Sequence, residues 1–365
     1  MSTSSSAAPL PEPPVPFGSY PVEDVTFLLT DLSDRPLETG LEEREAHLRR
    51  GGHYSEYLPI EYEPTPEYFE MFEAALVRGA RRTALGVAVA AERVLALRGP
   101  DVVLVSLARA GTPVGILVRR YLLAAHGLDR PHYSVSIIRD RGLDPVAVRW
   151  MQARHPGLPL QFIDGWTGKG AIQRELDKAA AAAGLDPRLA VVTDPGWCAA
   201  IPGSRDDFLI PSACLNSTVS GLVSRTVLRD DLIGPDDFHG AKEYPELAGR
   251  DVSRRFVDTV HGCVDDSLIA SARSLAAEPV EPPTWSGWAA VAEIGRRFSI
   301  DDPNRIKPGV GESTRVLLRR KPDRLLVRAE GEDVAHLLQL AAERDVPVEQ
   351  YAAMPYSSCG LISSD

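Results

Sequence analysis

The stretch FIDGWTGKG, Phe162 to Gly170, sets a carboxylate, small residues, a hydroxyl and an amine between an apolar run and a helix-like segment. After a parallel strand, small residues leave backbone N–H groups free to face an anion, and the following helix start adds positive potential. Asp164 is placed to accept hydrogen bonds from sugar hydroxyls, or to hold a divalent cation through water. Thr167 adds a donor and Lys169 a charge, so the loop reads as a ribose-phosphate cradle. A tight glycine turn with an Asp cap explains the same composition. Neither GxxxxGK(S/T) nor GxGxxG occurs in the chain.

A second loop, SLARAGTPVG, has the same character. Arg109, Gly111 and Thr112 lie between an apolar run and a helix begun by Pro113. Arginine in a glycine turn suits bidentate contact with an anion; the plain alternative is a surface arginine.

Thiol chemistry is the competing possibility. In PSACLNSTVSG, Cys214 follows an apparent strand. A helix starting at Ser217 or Thr218 would lower the thiol pKa and supply oxyanion donors. His239 in DDFHGAK is the candidate base, with Asp236 or Asp237 to orient it, and Cys198 in DPGWCA is a second candidate nucleophile. Free cysteines are more often small core residues, and His239 then serves as a loop hydrogen bonder. The same loops also suit substrate recognition, with Trp197 stacking on a base and Asn216, Ser217 and Thr218 reading its edge. A packed core aromatic is the alternative for Trp197.

Near the carboxyl end, RVLLRRKPDRLLVR carries Arg315, Arg319, Arg320, Lys321, Arg324 and Arg328 against Asp323. Folded as a hairpin, it would gather several cations on one edge for phosphate contacts. A solvated charged face is the bland reading. Without an aromatic platform, shape-based contact with structured RNA is favoured. His126, His132, His155 and His261 have no metal-ligand spacing.

These loops need strands and helices to hold them. DVVLVSLA, HYSVSIIR, LPLQFI and LAVVTD read as buried strands, with DDFLIP a candidate fifth, and helical segments follow the first three. The alternation predicts a doubly wound, mostly parallel α/β sheet covered on both faces, with ligands beyond the carboxyl ends of its strands. Thr65-Pro66 opens a long helix to Gly99, with Gly79 and Gly86 as candidate interruptions, and residues 17–62 form an extension with one short helix. Residues 1–16 read as a Ser/Pro-rich disordered tail, 17–235 as the main domain, 236–310 as a helical connector with linkers at EPVEPP and DDPNRIKPGVGE, and 311–365 as a small α/β module.

A net charge of −11 argues against bulk affinity for nucleic acid. The four cysteines form no CxxC, so neither a zinc knuckle nor a disulfide framework is expected. No targeting segment or membrane span is expected, and a cytoplasmic location is.

FIDGWTGKG resembles the phosphoribosyl-pyrophosphate loop of type I phosphoribosyltransferases, and SLARAGTPVG is similar to their pyrophosphate loop. More specifically, Phe17 to Val260 resembles the phosphoribosyltransferase-like proteins of bacterial tellurium-resistance and stress-response clusters, a family also labelled cysteine protease StiP. The runs that carry this are FLLTDLS, SLARAGTPVG, HYSVSIIRDRGLD, FIDGWTGKGAI, DPGWCA, IPSACLNSTVSGLVSRT and FHGAKEY. TRVLLRRKPDRLLVRA and MPYSSCGLI resemble a pelota-type RNA-binding module. The resemblance implies a core that binds phosphoribosyl pyrophosphate with Mg²⁺. Asp164 would hold ribose hydroxyls and metal. Gly165, Trp166, Thr167, Gly168, Lys169 and Gly170 would cradle the 5-phosphate. Arg109 with Ala110, Gly111 and Thr112 would hold pyrophosphate, and Arg139 and Arg141 would close over it. The leaving group would depart through an oxocarbenium-like state. One departure stands out: the family pattern has two adjacent acids where Asp164 is followed by Gly165, leaving Asp140 as a candidate second contact. The expected activity is phosphoribosyl transfer to a base-like acceptor. The alternatives are a cysteine protease or hydrolase using Cys214 and His239, and a non-catalytic nucleotide sensor tethered to RNA.

Overall fold

A computed structural model describes residues 10–12, 15–319 and 321–362; the expected tail and Arg320 lie wholly or largely outside them. The main sheet contains β1 (Thr26–Leu28), β2 (Val103–Ala108), β3 (His132–Ile138), β4 (Leu160–Trp166), β5 (Ala190–Thr193) and β6 (Ile201–Ser204), in the order β1-β3-β2-β4-β5-β6. All these pairings are parallel. In β2, Val103, Val105 and Leu107 face one apolar core while Leu104 faces another, so alternate side chains are buried on opposite faces.

Helices cover both sides. After the short α1 (Leu41–Arg49), α2 (Pro66–Arg98) and α3 (Thr112–His126) pack on one face. On the other lie α4 (Pro145–Arg154) and α5 (Ala171–Ala183). Asp144 caps α4 by accepting from the amides of Val146 and Ala147. Gly79 and Gly86 lie inside an uninterrupted α2. The α/β, mostly parallel sheet is as expected.

Several elements differ from the sequence expectation. TFL, in the expected extension, is an edge strand of the sheet. DDFLIP is no strand; the sixth strand is IPGS, whose Pro202 is tolerated because β6 lies at the edge. The region expected to connect is largely core: α6 (Ser253–His261) and α7 (Asp266–Ala277) bury Phe256, Val257, Val260, Leu268 and Ala272 in the same cluster as α2 and α3.

The carboxyl module begins earlier than residue 311, with α8 (Ser286–Phe298) and β7 (Ile306–Pro308) inside the expected linker. It continues through α9 (Val310–Arg319), β8 (Arg324–Val327), α10 (Glu332–Glu343), β9 (Val348–Gln350) and β10 (Ser358–Leu361). Its strand order is β7-β10-β8-β9. RVLLR is therefore helical and not half of a hairpin, because Val310, Leu317 and Leu318, at i, i+7 and i+8, bury a stripe of α9. This module is not tethered. Val310 and Leu317 share one continuous core with Ala80, Phe208 and Cys214.

Asp207 joins the two parts. Its carboxylate accepts the Val310 amide at 2.9 Å and the Ser357 amide at 2.8 Å, and its carbonyl accepts the Ser357 hydroxyl at 3.3 Å. Burial pushes the carboxyl up to about 6 from the ordinary 3.8, against the lowering effect of the two amides. Among the described residues, no helix is long and apolar enough to cross a membrane.

Asp207→Ala should strand two buried amides and cost about 2–4 kcal/mol in denaturant unfolding. With a raised folded pKa, the stability linked to this proton is full below pH 3.8 and lost as pH rises through about 6. Wild type should therefore lose stability relative to Asp207→Asn across that window. A pH-independent difference would show that the carboxyl does not titrate there.

Candidate active site

The chain leaves β2 for β3 on one side and returns to β4 on the other, opening a crevice at the carboxyl edge of the sheet. A cavity of about 440 Å³ occupies it. Leu107 to Ala110, Ile137, Arg139, Asp164 and the 166–171 turn form its core walls. Ser212, Leu215 and Asn216 line a further side. Lys307, Glu312 and Arg315 of the module complete it. Arg109, Asp164 and Thr167 thus share one cavity.

The two turns are shaped by close approach. A Cβ on Gly111 would lie 2.7 Å from the Ile163 carbonyl and 2.8 Å from that of Leu107. Gly170 has φ +75°, and a Cβ there would strike Trp285 and stand 2.7 Å from Cys198 Sγ.

Most donors of the expected cradle are already engaged. The Thr167 amide donates to the Thr193 carbonyl at 3.2 Å, and its hydroxyl to buried Asp194. Lys169 Nζ donates to the Pro303 carbonyl. The Gly111 and Thr112 amides close the turn on Leu107 and Arg109, and the Thr112 hydroxyl meets Ser134 at 2.7 Å. Arg109 donates to Glu61 at 2.8 Å and to the Val223 carbonyl at 2.9 Å. Burial alone would raise the Glu61 carboxyl, but Arg109 and the Ser217 amide hold it below its ordinary value.

Asp164 lies within β4, not in the turn, and Gly165 does not line the cavity. Burial pushes its carboxyl up to about 6, opposed by its Gly165 amide bond and by nearby Arg315. Among the described residues no group of three His, Cys, Asp or Glu could hold a metal, and the Arg315 charge acts on the Asp164 carboxylate. Asp140 is exposed and does not line the cavity; Arg139 does, bonded to Asn304 at 2.8 Å. Arg141 is turned to Glu56 and the Leu228 carbonyl.

The expected Cys214–His239 dyad is not assembled. His239 Nδ1 meets Ser136 at 2.8 Å, its amide donates to Asp144 at 2.7 Å, and burial lowers its pKa. Asp236 pairs with Arg149, and Asp237 accepts the Gly234 amide. Cys214 ends a 3₁₀ turn, Pro211–Cys214, on the face of the sheet covered by α2 and α9. Burial raises its thiol to about 12, while Arg315 and Arg78 lower it. The turn at Ser217–Val219 is too short to supply a helix dipole. Cys198 is also raised to about 12 by burial and Asp194.

The recognition set is scattered. Asn216 lines the cavity, Ser217 and Thr218 are fully buried, and Trp197 lies outside it under Arg205, 4.5 Å from the ring centroid. The basic run is split as well. Arg315 stacks 4.6 Å over Trp166 and donates to the Ala213 carbonyl at 3.3 Å, Arg324 pairs with Glu349, and Lys321 is exposed. Only the backbone of Arg319 is described, at the end of α9.

Sequence reasoning missed four residues. Glu61 sits in a segment without motif character, Arg225 lies at the end of IPSACLNSTVSGLVSRT beyond the residues given a role there, and Lys307 falls in the expected linker. Asp194 was findable: it ends the strand LAVVTD as Asp164 follows LPLQFI. It accepts from Thr167, from the amides of Cys198 at 2.9 Å and Ala199 at 3.0 Å, and from Arg205.

Residues 18–261 match the model of the family described as "Tellurite-like stress resistance cysteine protease StiP", and residues 285–364 match "PELOTA RNA binding domain". A curated relative, "Cysteine protease StiP" of Acinetobacter baylyi (strain ATCC 33305 / BD413 / ADP1), is 35% identical over 365 residues, covering 94% of each chain. No solved structure matches. Phosphoribosyl transfer is thereby overturned as the expected activity, since both descriptions are of a cysteine protease. The engaged donors and the single acid agree with that correction.

In the native protein at neutral pH, iodoacetamide should alkylate half-buried Cys263 at least ~10-fold faster than buried Cys198, Cys214 and Cys359. Mass spectrometry of the labelled peptides reads the order. Fast labelling of Cys214 would mean that its thiol is open and activated at rest.

Proposed function

Because the chain belongs to the family of tellurite-like stress resistance cysteine proteases StiP, we propose that it is a thiol-dependent peptide hydrolase acting at the cavity that Asp164 and Arg315 line, with Cys214 behind its wall. One observation carries this assignment. Arg315, which lines the cavity with Asp164, donates to the carbonyl of Ala213, the residue next to Cys214, at 3.3 Å. Ser212 and Leu215, on either side of the Ala213–Cys214 pair, line the cavity.

At rest the thiol is protonated, because burial outweighs the favourable field of Arg315. Substrate entry that hydrates this wall removes part of the desolvation and leaves the guanidinium to favour thiolate. Sulfur then attacks the carbonyl carbon while the thiol proton passes to the Asp164 carboxylate. Arg315 faces the oxygen on which charge develops. The C–N bond breaks and the amine leaves with the proton from Asp164. Asp164 next takes a proton from water, hydroxide adds to the thioester, and acid is released as the thiol reforms. A carboxyl at about 6 is matched to both directions of transfer near neutral pH. His239 has no part in this scheme.

The match of residues 285–364 supports RNA contact as a second property. It would use the module's outward cations, such as exposed Arg296, Arg297 and Lys321, and not Arg315.

Hydrolysis of a fluorogenic casein by the full chain tests the assignment. Cys214→Ser should lower the rate by ~100-fold or more, and Cys198→Ser by only a few-fold. Wild-type activity should rise through about pH 6 as Asp164 ionises, and Asp164→Asn should remove that limb. Full activity in Cys214→Ser would sink the proposal.

A further inference from the structure

Six cations line the cavity, Arg109, Arg139, Lys169, Arg225, Lys307 and Arg315, against two acids, Asp164 and Glu312. The whole chain carries −11, so this concentration of positive charge is local. Arg109 is neutralised by Glu61, and Arg315 is 3.6 Å from Glu312. Arg225 has no ion pair or side-chain hydrogen bond among the described residues; its guanidinium lies 5.9 Å from the centroid of the Tyr54 ring, and the acid that acts on it, Glu61, is already paired with Arg109. Among the described residues, Arg139 and Lys169 bond neutral oxygens only. These charges also repel one another. Burial and then neighbouring Lys307 lower Lys169 to about 8, and burial followed by Arg109 and Arg44 lowers Arg225. A cavity in which cations depress each other is relieved by an anion.

The rest of the lining says which anion. Leu215, Val219 and Ile306 give apolar wall between the charges. The Thr167 hydroxyl and amide, which a compact phosphate would need, are spent on Asp194 and Thr193. Cations dispersed among apolar side chains suit carboxylates carried on a chain that also has apolar side chains. We infer that the cavity binds a peptide segment in which acidic and apolar residues alternate, with Arg225 as its main carboxylate anchor. This substrate class rests on the hydrolase assignment above, but it is a claim about binding and is testable without turnover.

The probe is a fluorescein-labelled peptide of alternating Glu and Leu, titrated by anisotropy against the full-length Cys214→Ser protein. Counterparts carry Gln or Lys in place of Glu. The Glu peptide should bind at least ~10-fold tighter than the Gln peptide at low salt, with the gap narrowing as salt rises. Arg225→Gln should weaken the Glu peptide ~10-fold and leave the Gln peptide within about two-fold. Lys307→Gln should act in the same direction, and it decides the matter if Arg225→Gln does not fold. Equal binding of the Glu and Gln peptides would overturn the inference. So would displacement of the Glu peptide by millimolar inorganic phosphate that leaves no charge preference, since that outcome describes a small-anion pocket. Peptide binding with no hydrolysis by wild type would instead refute the hydrolase assignment and leave the binding site standing.

Discussion

Arg315 reaches from α9 to the Ala213 carbonyl and across the Trp166 ring, and there it forms part of the cavity wall. That one side chain ties the module to the turn bearing Cys214 and places a charge beside Asp164. A guanidinium can do this because it donates in its plane and stacks on its face. Its position depends on the docking of α9. Asp207 anchors the first turn of that helix through the Val310 amide, and the apolar stripe of Val310 and Leu317 holds the rest in the shared core. The module is thus a wall of the site as well as a neighbour of it.

Three acids at or just beyond strand ends show how environment sorts identical side chains. Asp194 is fully buried but accepts four hydrogen bonds, one from Arg205, so it works as a rivet between the 167 and 198 turns. Asp207 accepts two amides and clasps the module. Among the described residues, Asp164 accepts only the amide of its own neighbour, and it lines the cavity. Desolvation raises all three, but only Asp164 has both an unfilled hydrogen-bonding capacity and access to a ligand. A structural carboxylate has its lone pairs spent, whereas a reactive one does not.

The cavity was legible in part. Strand-then-loop patterning located the turns around Arg109 and Thr167, because in a parallel sheet every βα loop emerges at one edge. Their chemistry was misjudged. Composition shows which donors a loop owns, but not which ones the fold has already used, as with Thr167 on Asp194 and Lys169 on Pro303. The Cys214–His239 pairing failed for a related reason. Each residue lies in a polar or small-residue loop that sequence alone leaves free to meet the other, yet the fold sends Cys214 to the face under α2 and His239 to Ser136 and Asp144. The basic run read as a hairpin because its charges mask the helical stripe of α9.

By itself the sequence determined the parallel α/β core, its main strands and most of its helices, since these follow from local apolar periodicity and turn residues. It also carried the family likeness, which long runs of matching residues convey without coordinates. Tertiary structure alone decided that the carboxyl module shares the core, that Lys307 and Arg315 enter the cavity, that Arg225 forms no ion pair among the described residues, and that three of the four thiols are buried. Those outcomes depend on contacts between residues 100 or more apart, such as Arg315 with Ala213 or Asp207 with Val310. Burial, pairing and pKa are properties of such contacts and not of the segments that supply them.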